Sequence, residues 1–479
     1  LCSRKALSTW ELLRRQLLCA LDNYRIIWYC MQRDFVCNVT LGNVGSIFQE
    51  MIWGGNPQSM IKEPRLSMFD LLTCLSNVID LVSPTVVNHH SRVAYISLKL
   101  GEELGLPQPK QTQLAIAGLL HDIGALSLQE RLESLEFDFS DSKRHAERGY
   151  YFLEAFDPLA HVAKRIRYHH VPWNYGEGIA SNGEEIPFSS HILNLADRVA
   201  VLINHSKPIL SQAEDIRRKI KDRSGSLFVP EIANAFCDLS TREYFWFDLA
   251  SPATSIVVVV SETLSPHGVE LSMTELTGLG NLIRRIIDFR APFTASHSLR
   301  VASVAEALAG IARFSKREQN MIKVAGYIHD LGKLAVPGEI LRKPGRLNES
   351  EFNIVKSHTF HSYRALEPLY ELHTINQWAS FHHERMDGKG YPFRHKGADL
   401  PLGSRIMSVA DAFSALTEDR PYRTSMRCKD ALQIVRDMAK EGALDPNIVS
   451  MLAQNAEEIY DICMITGISA IEDYKQLTT

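Results

Sequence analysis

The sequence predicts an all-α protein made of two tandem helical bundles. Three observations carry this: apolar residues recur at three- and four-residue steps, strand signals are sparse, and one long series of motifs occurs twice. The helical period is plain in MFDLLTCLSNVIDLV (68–82) and AIAGLLHDIGAL (115–126). It returns in ELTGLGNLIRRIIDF (275–289) and IMSVADAFSAL (406–416). Gly124 and Gly332 closely follow two His-Asp pairs and read as helix stops. SIVVVVS (255–261) is the one strand candidate, a β-branched run between the bundles. The organisation expected is an extension over 1–65 with no assigned structure, a first bundle over 66–248, a linker over 249–271 and a second bundle over 272–470.

Composition narrows the function. At 479 residues, 45% hydrophobic and 23% charged, the chain has ample core for ordinary globular domains. The formal charge is −4 and no long basic stripe appears, which argues against DNA while leaving room for a small phosphate ligand. Apolar runs such as Ile256–Val260 fall far short of the roughly 20 residues a bilayer span needs, so no membrane insertion is expected. Arg14, Arg15 and Arg25 interrupt the leucine-rich start, against a secretory signal. Eight cysteines lie scattered without CxxC pairs, as in a reduced, cytoplasmic chain. Residues 1–50 lack periodicity and read either as an unusual extension or as sequence upstream of the natural start.

The repeat is specific. HHSRVA (89–94) matches HSLRVA (297–302), LLHDIGAL (119–126) matches YIHDLGKL (327–334), and NLADRVAVL (194–202) matches SVADAFSAL (408–416). His89 to His121 and His297 to His329 are both 32 positions. From the HD pair to the next histidine is 24 positions (His145) or 29 (His358), and from there to a double histidine is 24 in both halves. Asp197 and Asp411 follow those pairs by 27 and 28. A lone HD or HH dipeptide signifies little; the whole ordered set, twice, is a metal-ligand pattern.

In the second unit the set is His297, His329, Asp330, His358, His382, His383 and Asp411. Five imidazoles and two carboxylates are too many for one tetrahedral zinc. The mixed N/O donors suit Fe or Mn, with a carboxylate bridging two ions. Neighbouring helical residues point about 100° apart, so His329 and Asp330 reach one cavity, and Asp330 is the natural bridge. Two ions together lower the pKa of a shared water and clamp both oxygens of a phosphoryl displacement.

On HDLGK (329–333), His358, HHERMDGKGYP (382–392) and SVADAFSALTEDRPYR (408–423), this unit resembles the HD-GYP proteins, a branch of the HD superfamily of metal-dependent phosphohydrolases. The resemblance covers roughly 290–455. It implies a helical bundle with two or three metals that opens bis-(3′,5′)-cyclic dinucleotides, usually cyclic di-GMP to pGpG and sometimes on to GMP. Lys333 lies one turn beyond Asp330 and offers a point charge to a phosphate oxygen; in the family this lysine contacts the scissile phosphate. Asp330 and Lys333 are thus the catalytic candidates. Gly388, Gly390, Tyr391 and Pro392 form a turn able to approach a substrate closely, with Arg420 and Arg423 as further phosphate or guanine contacts. Members with three metals carry a glutamate where this chain has Phe293 (Thr85 in the first unit), so two Fe or Mn ions are expected. A lysine common after RPYR is replaced by Met426.

The first unit holds His89, His121, Asp122, His145, His169, His170 and Asp197, a second candidate metal site. Ala125 replaces the lysine, VPWNYGEG replaces the GYP turn, and the preceding loop is acidic (Glu133, Glu136, Asp138, Asp141). Trp173 and Tyr175 are placed either to stack on a base or to pack. This half resembles a divergent HD domain. The leading expectation is a cyclic di-GMP phosphodiesterase with catalysis in the second unit. Its rivals are a hydrolase of another nucleotide, such as cyclic GMP-AMP, and a non-catalytic dinucleotide sensor or scaffold for a diguanylate cyclase. A homodimer is left open.

Overall fold

Helix succeeds helix through both halves, as the periodicity predicts. The structure is a computed structural model and describes residues 66–81, 88–125, 127–134, 137, 143–181, 183–264, 270–290, 295–343, 345–419 and 424–478. The first half begins with α1 (Met68–Asp80), α2 (His89–Glu103), α3 (Gln108–Leu120), α4 (Leu128–Ser134), α5 (Lys143–Glu154) and α6 (Asp157–Arg167). It continues with α7 (Phe188–Leu202), α8 (Leu210–Asp222), α9 (Pro230–Leu239), α10 (Glu243–Ala250) and α11 (Ala253–Leu264). The second half begins with α12 (Met273–Phe289), α13 (His297–Ile311), α14 (Lys316–Ile328), α15 (Gly338–Leu341) and α16 (Glu349–Leu366). After these come α17 (His373–Ser380), α18 (Leu402–Leu416), α19 (Cys428–Lys440), α20 (Pro446–Gln454) and α21 (Ala456–Thr478). Among the described residues the strands are two short antiparallel pairs, Leu66–Ser67 with Glu270–Leu271 and Ala180–Ser181 with Glu184–Glu185. No helix among them is long and apolar enough to cross a membrane.

Local chemistry sets the helix starts. Ser272 with Glu275, Ser315 with Glu318 and Asn348 with Glu351 form reciprocal capping boxes at α12, α14 and α16. Glycine then brings helices together where the site is built. A Cβ on Gly118 would stand 2.5 Å from the Ala94 Cα, and one on Gly326 would stand 2.4 Å from the Ala302 Cα. These contacts draw α2 onto α3 and α13 onto α14, so the histidines at their ends converge.

Two expectations change. The strand candidate 255–261 lies inside α11. Among its described side chains Ile256 and Val260 are buried, a four-residue spacing, and the helix packs on α2 and α1. Packing on one face overrides the β-branched preference. Gly124 and Gly332 are not helix stops either, because α3 and α14 end earlier, at Leu120 and Ile328. A Cβ on Gly124 would lie 2.0 Å from the His145 carbonyl oxygen, and one on Gly332 would lie 1.9 Å from that of His358. Both glycines let the next ligand-bearing helix lie directly on the HD turn.

The halves grip each other reciprocally. α1 packs on α16 and on the 3-10 turn Leu331–Ala335, while α12 packs on α5. Phe152 of α5 meets Phe289 of α12 edge to face with centroids 5.4 Å apart. Buried apolar residues of both halves join one cluster.

Candidate metal centres

In the second half, separate helices deliver the predicted residues to one place. His297 opens α13, His329 and Asp330 follow α14, His358 lies in α16, His382 and His383 follow α17, and Asp411 lies in α18. His329 Nε2 stands 3.2 Å and His297 Nε2 4.0 Å from Asp330 Oδ2, whereas His358 Nε2 stands 3.3 Å from Oδ1. His297 Nε2 also lies 3.1 Å from Asp411 Oδ1, and His383 Nδ1 lies 3.8 Å from Asp411 Oδ2. The ligand atoms of His358, His382 and His383 all lie within 4.8 Å of one another, as do those of His297, His329 and Asp330. Asp330 therefore faces one imidazole group with each oxygen, the arrangement of a bridging carboxylate.

The donors fit divalent cations. His329, His382 and His358 aim Nδ1 at the carbonyl oxygens of Gly326 (2.8 Å), Ala379 (2.6 Å) and Val355 (2.5 Å). A carbonyl only accepts, so Nδ1 carries the proton and Nε2 turns its lone pair inward. Those three Nε2 atoms and Asp330 Oδ1 are buried without hydrogen-bond partners. Burial pushes His358 down to about 3, so it is a neutral donor at pH 7. Burial opposes the charge of Asp330, yet His329 and Lys333 beside it hold its carboxyl well below the usual range.

His297 behaves differently. Burial works against its charge, but the Asp411 and Glu418 carboxylates beside it outweigh that and raise it to about 9. Glu418 Oε2 lies 3.3 Å from His297 Nδ1 and is itself nearly inaccessible. A cation at Nε2 must displace a proton that is held below pH 9. Metal affinity is therefore predicted to rise with pH between 7 and 9, by up to about tenfold per unit. Calorimetric metal titrations in buffers of different ionisation heat count the released proton; a pH-independent affinity would contradict this.

The turn after the histidines is anchored by a residue that motif reading did not single out. Glu384 is 2% exposed, and its Oε1 accepts from the backbone N–H groups of Phe393 (2.6 Å) and Arg394 (3.0 Å). Tyr391 N–H donates to the His383 carbonyl at 3.2 Å, and the two rings lie 4.9 Å apart. A Cβ on Gly390 would come within 2.5 Å of the Glu384 Cα, so only glycine lets the turn lie this flat. Gly388 has φ +74° and Pro392 follows a cis bond. Glu384→Ala is predicted to lower kcat/KM about 10- to 100-fold with second-half metal content kept, because two backbone N–H groups lose their acceptor and Tyr391 shifts. Glu384→Gln keeps an acceptor and retains most activity; an alanine variant as active as wild type would remove Glu384 from the account. Arg420, Arg423, Phe293 and Thr85 lie outside the described residues.

The first half repeats the frame with other surroundings. His89 Nε2 is 3.3 Å from His121 Nε2 and 3.2 Å from Asp197 Oδ1. Asp122 Oδ2 lies 3.5 Å from His121 Nε2, while Oδ1 lies 3.1 Å from His145 Nε2 and 3.8 Å from His169 Nε2. His170 Nε2 is 2.9 Å from that of His145. Asp122 Oδ1, His169 Nε2 and Asp197 Oδ1 are buried without hydrogen-bond partners, so these donors also fit cations. Yet Ser134 Oγ donates to Asp122 Oδ2 at 2.9 Å, where the second half has Lys333 Nζ at 2.6 Å from Asp330. Arg198 holds Asp197 Oδ2 at 2.6 Å, where the second half has Ala412. His90, another residue the motif alignment left out, bonds Asp80 and sets its ring 5.1 Å from that of His121. Ser298 stands in its place in the second half. Trp173 packs edge-on against His191, and Tyr175 is 80% exposed beside Gly225.

Helical bundles that place an aspartate between two groups of imidazoles define a metallohydrolase of the HD type. The HD domain family matches residues 73–216 and 281–448, once in each half. The chain belongs to this family, and is an HD-GYP-type phosphodiesterase with two HD regions. It is 31% identical over 399 residues to the 3′3′-cGAMP-specific phosphodiesterase 1 of Vibrio cholerae, covering 81% of this chain and 92% of that protein. It is 27% identical over 436 residues to phosphodiesterase 3 of the same name and organism, covering 80% and 93%. The cyclic di-GMP phosphodiesterase response regulator RpfG of Xanthomonas campestris is 35% identical over 184 residues, covering 38% of this chain and 48% of that one. The crystal structure of the V. cholerae cyclic GMP-AMP-specific phosphodiesterase V-cGAP3 aligns with a TM-score of 0.57 at 25% identity, covering 81% and 97%.

Proposed function

We propose that the chain hydrolyses a 3′,5′-linked cyclic dinucleotide in its second half, residues 272–470, and that 3′,3′-cyclic GMP-AMP is the preferred substrate. The observation that carries the choice of half is the company the metal ligands keep. Only the second set has Lys333 and the GYP turn beside it, and its His383 and Asp411 side chains are 31% and 15% exposed. The corresponding first-half carboxylate, Asp197, is 2% exposed. The choice of bases departs from the cyclic di-GMP expected from the motifs. It is supported by the two relatives named for cGAMP that span both halves; those named for cyclic di-GMP cover at most 38% of the chain, and a third named for cGAMP covers 37%. Cyclic di-GMP stays as the second reading, because the GYP turn and Lys333 are what the shorter resemblance rests on.

A bound pair of divalent cations, Fe or Mn by donor type, supplies activation of water and neutralisation of phosphoryl charge. The chain does the rest. Asp330 fixes both donor groups at one spacing, Lys333 meets a non-bridging phosphate oxygen, and Tyr391 borders the mouth at His383. Water oxygen bonds to phosphorus, the P–O3′ bond breaks, and the proton passes to the 3′-oxygen, leaving a linear 5′-phosphorylated dinucleotide. The test is to chromatograph products from metal-loaded protein given 3′,3′-cyclic GMP-AMP and cyclic di-GMP in parallel. Faster opening of the mixed dinucleotide is expected; equal or faster opening of cyclic di-GMP moves the preference. No turnover of either with Fe²⁺ or Mn²⁺ under reducing conditions would sink the proposal.

A further inference from the structure

A cyclic dinucleotide carries two phosphates, and Lys333 serves the one being cut. The site has another cation suited to the other. Lys356 lies in α16, half-buried, two residues before His358. Its ammonium sits 4.7 Å from the ring centroid of Phe352 and 5.8 Å from that of Tyr391. The Tyr391 ring is 4.9 Å from His383, whose ring is 5.3 Å from His358. Lys356 is therefore one aromatic ring removed from the metal ligands, on the side of the GYP turn. Among the described residues it pairs with no carboxylate, whereas Lys343 in the preceding segment and Lys389 in the turn face Glu351 and Asp387. Aromatic faces steady an ammonium without neutralising it, so its charge stays available.

We propose that Lys356, held over Tyr391, binds the second, non-reacting phosphate of the cyclic dinucleotide. This rests on the phosphodiesterase function proposed above. The two phosphates sit on opposite sides of one macrocycle, so the second cation has to stand beside the cutting site rather than on it. Lys333 touches Asp330, while Lys356 is set off by the Tyr391 and His383 rings. A lysine on its flexible stem suits a single phosphate oxygen as a point charge.

A contact to a phosphate that does not react holds ground state and transition state alike, so it acts on KM rather than kcat. Lys356→Ala and Lys356→Arg are to be compared with wild type on two substrates. One is the cyclic dinucleotide; the other is bis(p-nitrophenyl) phosphate, which has a single phosphodiester. The alanine variant is expected to raise KM for the cyclic dinucleotide about 10- to 100-fold with kcat within about threefold. Its hydrolysis of bis(p-nitrophenyl) phosphate stays at the wild-type level, and arginine restores much of the KM. An unchanged KM, a loss confined to kcat, or an equal loss on both substrates overturns the assignment. Wild-type protein that cuts the small diester but no cyclic dinucleotide defeats the proposed function itself, and that result is read before any variant is made.

Discussion

Asp330→Asn is expected to abolish cyclic-dinucleotide hydrolysis, with kcat falling on the order of 10³-fold or more. The substitution is nearly isosteric at a residue only 2% exposed, so it changes chemistry more than shape. It removes the negative charge between His329 on one side and His358 on the other, and it replaces one carboxylate oxygen by an amide nitrogen that cannot ligate a cation. Second-half metal is expected to be lost with activity, as measured by metal content and product chromatography on the same preparation. Asp122→Asn is the matched control, predicted to lose first-half metal while turnover stays within about threefold. Turnover that survives in the first variant, or vanishes in the second, transfers the chemistry to the first half.

Much of this frame was legible because metal ligation imposes fixed donor types, and a repeat displays the same donors twice. The structure brings His297, His329, Asp330, His358, His382, His383 and Asp411 together from separate helices, and does the same for His89 through Asp197. What escaped has a common physical character. Glu384, Glu418, Ser134 and Arg198 act through polar contacts set by the tertiary fold, and no sequence spacing encodes those. A signal did exist for Arg198, which faces Ala412 across the repeat, and for His90, which faces Ser298. Gly124 and Gly332 were visible as glycines but not as contact points, since only the folded chain shows the carbonyls of His145 and His358 pressed against them. The run 255–261 was misread because β-branched residues favour strands locally, whereas its burial at Ile256 and Val260 is helical.

Lys333→Ala is the second large effect, with kcat reduced about 10²- to 10³-fold and metal content unchanged. Lys333 Nζ stands 2.6 Å from Asp330 Oδ2 and is 22% exposed, so it borders the ligands while remaining reachable by substrate. Its three N–H donors can serve the carboxylate and a phosphate oxygen together. His329 still faces Asp330 in the variant, so the carboxylate keeps its charge and its ligand role. Loss of metal along with activity would instead make Lys333 a support for the centre. The reverse substitution is equally telling. Ala125→Lys, made in the Asp330→Asn background, is expected to give no cyclic-dinucleotide turnover. Ala125 is fully buried, Ser134 already occupies Asp122 Oδ2, and Arg198 holds Asp197. No GYP turn lies over His170 to receive the substrate. Should turnover appear, one lysine is all that separates the halves, and the serine and arginine contacts around Asp122 and Asp197 are no barrier to catalysis.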